Sequence, residues 1–96
     1  SAASGGDDYK TRKARDKALR KAKNGVERHE KKVAELEAKL EESNAAMAAV
    51  DPGDHTKVTE LAYAFEALQT EMQETINLWE KAVEEHDRLQ TEAASM

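Results

Sequence analysis

The chain has 96 residues, of which 39% are hydrophobic, 36% charged and only 4% aromatic. A composition this poor in aromatic residues excludes a sheet sandwich or barrel, whereas abundant Ala, Glu, Lys and Leu favour long helices. The chain contains no cysteine, which excludes disulfides, thiolate metal sites and thiol nucleophiles. The net charge of −5 is, as an average, that of an acidic protein.

Neither end of the chain has the pattern of a membrane or export segment. No apolar run reaches the roughly 20 residues that span a bilayer, and residues 1–8 lack the apolar stretch of a secretory signal. We therefore expect a cytoplasmic protein with no membrane partner. We interpret residues 1–7 as a flexible linker or a cloning remnant, because they are small and polar.

The first predicted helix covers residues 8–50, with Asp7 or Asp8 as its N-cap. Apolar residues recur in it at alternating steps of three and four, which is typical of a coiled-coil seam. We expect Gly25, inside this helix, to make room for the indole of Trp79. The predicted seam positions are Leu19, Ala22, Val26, His29, Val33, Leu36, Leu40, Ser43, Met47 and Val50.

A break follows at residues 51–54, Asp51-Pro52-Gly53-Asp54, and predicts a turn. The second predicted helix covers residues 55–92, and Asp51, followed by Pro52 at the first helical position and by Asp54 three residues on, is expected to start it. Residues 93–96 are expected to be a frayed tail. Ala62, Ile76 and Val83 are expected to widen its seam. The predicted seam positions are Val58, Leu61, Phe65, Leu68, Met72, Thr75, Trp79, Ala82, His86, Leu89, Ala93 and Met96.

The two seams pair in phase when the chain folds back at the break. Facing positions then have numbers that add up to 105, as for Leu40 with Phe65, or to 104, as for Leu36 with Leu68. The predicted fold class is therefore all-α, an antiparallel two-helix coiled-coil hairpin of the monomeric kind. Helices of about 40 residues would each be about 60 Å long.

Charge is distributed unevenly along this hairpin. Its base, residues 10–32 and 73–96, holds 13 basic and 9 acidic residues, whereas its tip, residues 33–72, holds 2 basic and 9 acidic ones. Heptad positions place Lys10, Lys13, Lys17, Arg20 and Lys21 on the outward face of the first helix. Such a stripe attracts phosphate polymers, although solvated helix faces also carry charge runs.

Catalytic and metal sites are not expected. A two-helix hairpin has no enclosed site, and the three histidines, His29, His55 and His86, lie far apart along it. We therefore expect no catalytic residue, no metal ligand and no cofactor in this domain, which is not itself an enzyme.

Three stretches resemble the C-terminal coiled-coil domain of ABC-F ATPases, in particular the Uup-like branch. They are the opening Asp8-Tyr9-Lys10 with its basic run, VAELEAKL over residues 33–40, and a late Trp79-Glu80 followed by Glu84. The resemblance covers residues 7–90. It implies a cytoplasmic, ribosome-associated or DNA-binding ATP-binding protein, whose ATP and Mg belong to two cassettes absent from this chain. The implied nucleic-acid-binding residues, which we call the base stripe, are Lys10, Arg12, Lys13, Arg15, Lys17, Arg20 and Lys21.

Three functions are compatible with the sequence. The first is an accessory domain that contacts DNA or ribosomal RNA through the base stripe. The second is a structural or protein-interaction arm that positions or regulates the cassettes without binding nucleic acid. The third is a self-associating coiled coil.

Overall fold

The computed structural model describes the backbone of residues 2–95 and the side chains of residues 8–95. Two helices, α1 (Ala2–Ala49) and α2 (His55–Ala94), are joined by a short turn and pack against each other along their length. The molecule measures 80 × 15 × 14 Å. The predicted all-α helical hairpin is therefore confirmed.

The buried positions follow the predicted seam closely. Leu36 is 0% exposed and Thr75 is 6% exposed, while every other predicted position from Leu19 to Val50 and from Leu61 to Ala93 is half-buried. Val58, next to the turn, is exposed. Ile76 and Val83 widen the seam as predicted, but Ala62 is exposed. Ala62 lies near the turn, where α1 consists mostly of alanines whose small side chains cover little of α2.

One contact across the helices agrees with the antiparallel register. Lys32 Nζ lies 3.2 Å from Glu71 Oε1, one residue before the predicted Val33 and Met72 pair on each helix. Both side chains are more than 40% exposed, so the ion pair contributes at most about 1 kcal/mol. The ion pair nevertheless supports the predicted register, because the antiparallel pairing brings these two side chains to the same level of the hairpin.

Both helices are longer at the open end than the sequence predicts. α1 begins at Ala2, so residues 2–7 are helical instead of a linker, and α2 continues to Ala94, past the predicted end at residue 92. Extending an existing helix adds one hydrogen bond per residue at little cost, and alanine favours it. Asp7 and Asp8 consequently lie inside α1 and do not cap it. The predictions for Ser1 and Met96 lie outside the described residues.

The turn is held by two aspartates with different tasks. Asp54 is the N-cap of α2, where its Oδ1 accepts a hydrogen bond from Lys57 N at 3.1 Å. Asp51 Oδ1 accepts one from Gly53 N at 2.9 Å and closes the turn before the helix begins. The cap is therefore Asp54, and the prediction that Asp51 and Pro52 start the helix is wrong. α1 ends one residue before the predicted residue 50.

Replacing Asp54 with Ala is expected to lower the free energy of unfolding by about 1 kcal/mol, because one donor of the first turn of α2 loses its acceptor. Urea unfolding followed by circular dichroism measures this. Asp54→Asn, which keeps an acceptor oxygen, is the control and should lose much less. Equal losses in the two variants would show that the cap hydrogen bond contributes nothing.

Gly25 does not accommodate the indole of Trp79, so that prediction is wrong. A Cβ atom added at Gly25 would meet only Arg28 Nη2, at 3.9 Å, which is an ordinary van der Waals distance. No atom of α2 lies within 4 Å of that Cβ position. Gly25 is therefore an unfavourable helix residue without a packing role.

Gly25→Ala is expected to raise the free energy of unfolding by about 1 kcal/mol, since it removes the helix penalty of glycine without a clash. Thermal and urea unfolding both report this gain. Gly53→Ala is the control, because its Cβ would lie 3.3 Å from Asp51 Oδ1 in the turn and should bring no gain. A destabilised Gly25→Ala variant would mean that the space beside Gly25 is needed.

Candidate nucleic-acid interface

The base stripe lies on the first third of the described part of α1. Its side chains are exposed at six positions, and Arg15 is half-buried because it continues the seam below Leu19. The structure therefore presents six of the seven predicted residues to solvent on one rigid helix. The six are Lys10, Arg12, Lys13, Lys17, Arg20 and Lys21.

Part of the stripe borders a shallow cleft on one face of α1. Tyr9, Arg12, Lys13, Asp16 and Arg20 line this cleft, whose volume is about 380 Å³. They recur at helical steps of three and four, so a single helix brings them together. Tyr9 is 58% exposed and supplies an aromatic ring beside three cations. A phosphate group and an adjacent base or sugar could both be contacted here.

The start of the stripe lies at the end of the facing helix. The antiparallel register puts Ala94, the last residue of α2, opposite residues 10 and 11 of α1. Tyr9 and Lys10 therefore have little or no acidic surface of α2 beside them. Of the ion pairs among residues 8–95, none involves a residue of the base stripe.

The acidic residues of α2 at the base are partly neutralised by Arg88. Its Nε donates to Glu85 Oε2 at 3.0 Å and its Nη1 donates to Glu92 Oε1 at 2.6 Å. The hydrogen bond from Arg88 lowers the pKa of Glu85, and the same bond raises the pKa of Arg88. The pairing with Arg88 weakens the field that the two carboxylates would direct at a phosphate.

The tip has the opposite character. Residues 51–60 are all exposed, and the tip as a whole carries nine acidic against two basic residues. A polyanion is repelled there, since nothing among residues 33–72 screens the carboxylates except Lys39, Lys57 and the one contact of Glu71 with Lys32.

The histidines do not form a site. His29 and His86 are half-buried at separate levels of the seam, and His55 is exposed beside the turn. The described residues contain no group of three or more His, Asp or Glu side chains that could hold a metal ion. Likewise, no helix in the described part of the chain has the length and apolar character needed to cross a membrane.

One apolar groove was not predicted from the sequence. It lies between the helices, has a volume of about 390 Å³ and is rimmed by carboxylates. Trp79 lines this groove, and its Nε1 is buried without a hydrogen-bond partner. Ser43 Oγ, farther along the seam, is also buried without one. The one signal for it in the sequence is that Ile76 and Trp79 are large apolar residues three positions apart on α2. The lining residues are Glu30, Val33, Ala34, Glu37, Ile76 and Trp79.

Comparison with known proteins leaves the chain without an assigned family. No family model, no curated protein and no solved structure matches it.

Proposed function

We propose that this hairpin is a non-catalytic accessory domain that contacts DNA or ribosomal RNA through the base stripe. The observation that carries the proposal is the row of six exposed cations on one helix, none of them engaged in an ion pair among residues 8–95. The six cations lie between residues 10 and 21, about 17 Å of helix, so there is about one per 3 Å, close to the axial spacing of about 3.4 Å between phosphates of one strand.

The contact would be to the phosphate backbone. Lysine and arginine without interleaved aromatic rings bind phosphates and read little sequence, and Tyr9 is the one ring beside the stripe. The acidic tip would orient the hairpin on the nucleic acid, because a polyanion is attracted to the basic base and repelled by the tip. The domain would therefore bind with its base on the nucleic acid and its tip directed away.

We further propose, from the resemblance to the Uup-like branch of ABC-F ATPases, that this domain is the C-terminal part of a cytoplasmic ATP-binding protein. In that setting ATP and Mg would be held by cassettes outside this sequence, and the hairpin would contribute binding alone. This family assignment is part of the proposal and depends on the motifs around Tyr9 and Trp79.

A second candidate function depends on the tip. Its exposed acidic turn lies at the far end of an 80 Å rod, which suits an arm that positions or regulates the cassettes by contact with protein. Such an arm needs no nucleic acid, so the two candidates separate in a binding experiment on the isolated hairpin.

The experiment compares two triple variants of equal charge change. Lys13→Glu, Lys17→Glu and Lys21→Glu reverse the base stripe, whereas Lys39→Glu, Lys57→Glu and Lys81→Glu reverse three cations elsewhere. Binding to labelled duplex DNA and to ribosomal RNA fragments is measured by fluorescence anisotropy at low salt. We expect the first variant to lose at least about 100-fold in affinity and the second to lose less than about fivefold, because only the first removes phosphate contacts.

Three outcomes would contradict the proposal. The wild-type hairpin could fail to bind either nucleic acid at low salt, the two variants could lose affinity equally, or only the second could lose it. The first result would favour the interaction arm, and altered ATPase activity of the whole protein on deletion of the hairpin would then support that function.

A further inference from the structure

Ten exposed residues form a row along α1 beside the seam. The row begins at Tyr9 and ends at Glu41, and its members recur at alternating steps of four and three. Over these 32 residues it is about 48 Å long. Its charged members include three cations followed by three acids, none with an ion-pair partner among residues 8–95: Lys13, Arg20, Lys23, Glu27, Glu30 and Glu37.

The charges of this row are complementary to the same row read backwards. When two copies of α1 lie antiparallel with facing numbers that add up to 50, Lys13 faces Glu37 and Arg20 faces Glu30. Lys23 faces Glu27 in the same alignment. Because the arrangement has a two-fold axis, each of the three pairs occurs twice.

The remaining members of the row fit this alignment as well. Asp16, the one acid in the basic half, faces the small Ala34 and meets no like charge. Tyr9 faces Glu41, whose carboxylate can accept a hydrogen bond from its hydroxyl. Shifting the alignment by one heptad, to numbers that add up to 43 or 57, puts Asp16 opposite Glu27 or Glu41, so only one register avoids repulsion.

The same alignment brings together two surface depressions of opposite charge. The cationic cleft of Lys13 and Arg20 on one copy lies over the apolar groove rimmed by Glu30 and Glu37 on the other. The stem of Arg20 would then cover Trp79, which is half-buried in the groove of a single hairpin. The groove thus gains both an apolar cover and two countercharges.

We propose that the row from Tyr9 to Glu41 is a self-association surface, whose partner is a second, antiparallel copy of this chain. A strip about 48 Å long and about 10 Å wide buries about 1,000 Å² in total, the low end for a specific interface. The dimer is therefore weak and salt-dependent, with a dissociation constant between about 10 µM and 1 mM. This inference does not depend on the proposed nucleic-acid binding.

The test is sedimentation equilibrium of the hairpin and of three charge variants at about 50 mM and about 500 mM salt. The acidic-row variant carries Lys13→Glu, Arg20→Glu and Lys23→Glu. The basic-row variant carries Glu27→Lys, Glu30→Lys and Glu37→Lys. A control of the same net charge as the acidic-row variant carries Lys10→Glu, Lys17→Glu and Lys31→Glu, outside the row. All these positions are exposed, so circular dichroism should show unchanged helix content.

At low salt we expect the average masses of the wild type and the control to rise with concentration from the monomer mass of 10.7 kDa toward twice that value. The acidic-row and basic-row variants should each stay monomeric, with dissociation constants raised at least about tenfold by like-charge contacts, and should form a heterodimer when mixed. A monomeric wild type at about 1 mM and low salt, or a heterodimer no stronger than the separate variants, would overturn the proposal. The control also separates the two proposals, because it reverses two residues of the base stripe and should weaken nucleic-acid binding while the dimer persists.

Discussion

Leu36→Ala is expected to lower the free energy of unfolding by about 3 kcal/mol. Leu36 is the one apolar side chain among residues 8–95 that is completely buried, at 0% exposure. Its loss removes the transfer free energy of the buried methyl groups and leaves a cavity at the middle of a seam that is only one side chain thick. Since small domains are stable by only about 5–15 kcal/mol, this is a large share of the total.

Urea unfolding followed by circular dichroism tests this expectation, with Leu78→Ala as the matched control. Leu78 is on α2 and 52% exposed, so the same chemical change there should cost less than about 0.5 kcal/mol. Similar losses for the two variants would mean that the seam does not hold the hairpin together in the way its burial indicates.

Raising the salt concentration from about 50 to about 200 mM is expected to weaken duplex binding by a factor of about 10² to 10³. The outward cations Lys10, Lys13, Lys17, Arg20 and Lys21 are exposed, and each can displace a counterion from a phosphate. Five such contacts give a slope of about −4 to −5 for the logarithm of the binding constant against that of the salt concentration.

Anisotropy titrations at several salt concentrations give this slope directly. The Lys13→Glu, Lys17→Glu, Lys21→Glu variant should show a slope smaller in magnitude by about 3, if binding remains measurable. A slope near zero for the wild type would show that binding does not depend on phosphate contacts, and would exclude the base stripe as its cause.

Much of the fold could be predicted because the spacing of apolar residues along the chain determines how the two helices of a hairpin pair. The alternating steps from Leu19 and from Val58, together with the break at Pro52, predict the seam and its direction. Leu36 and Thr75, which are buried, lie on this seam, and only Val58 beside the turn is exposed among the seam positions described. Long-range contacts follow from the register alone, so no further information was needed.

The predictions that were wrong concern the space beside Gly25 and the ends of the helices, which the periodicity of apolar residues does not determine. Whether Gly25 is crowded depends on how far the facing helix is from its Cα, and a Cβ there proves to have room. The ends of α1 and α2 depend on the small free energy of adding one more residue, so Ala2 and Ala94 are helical although the sequence predicts a cap at Asp7 or Asp8 and a frayed tail after residue 92.

The candidate site was predictable as a set of residues but not as a surface. Heptad positions identified the outward cations, whereas the half-burial of Arg15, the cleft beside Tyr9 and the pairing of Arg88 with two glutamates depend on side-chain positions. The net charge of −5 concealed the most informative feature, which is a basic base and an acidic tip at opposite ends of a rod.

An NMR titration of the hairpin with a short DNA duplex tests the central claim most directly. We expect the backbone amide shifts that change to lie between residues 10 and 21 of α1, while the amides of Asp51, Gly53 and Asp54 in the turn keep their shifts. Changes centred on the tip, or no changes in α1 at a saturating duplex concentration and low salt, would contradict the account.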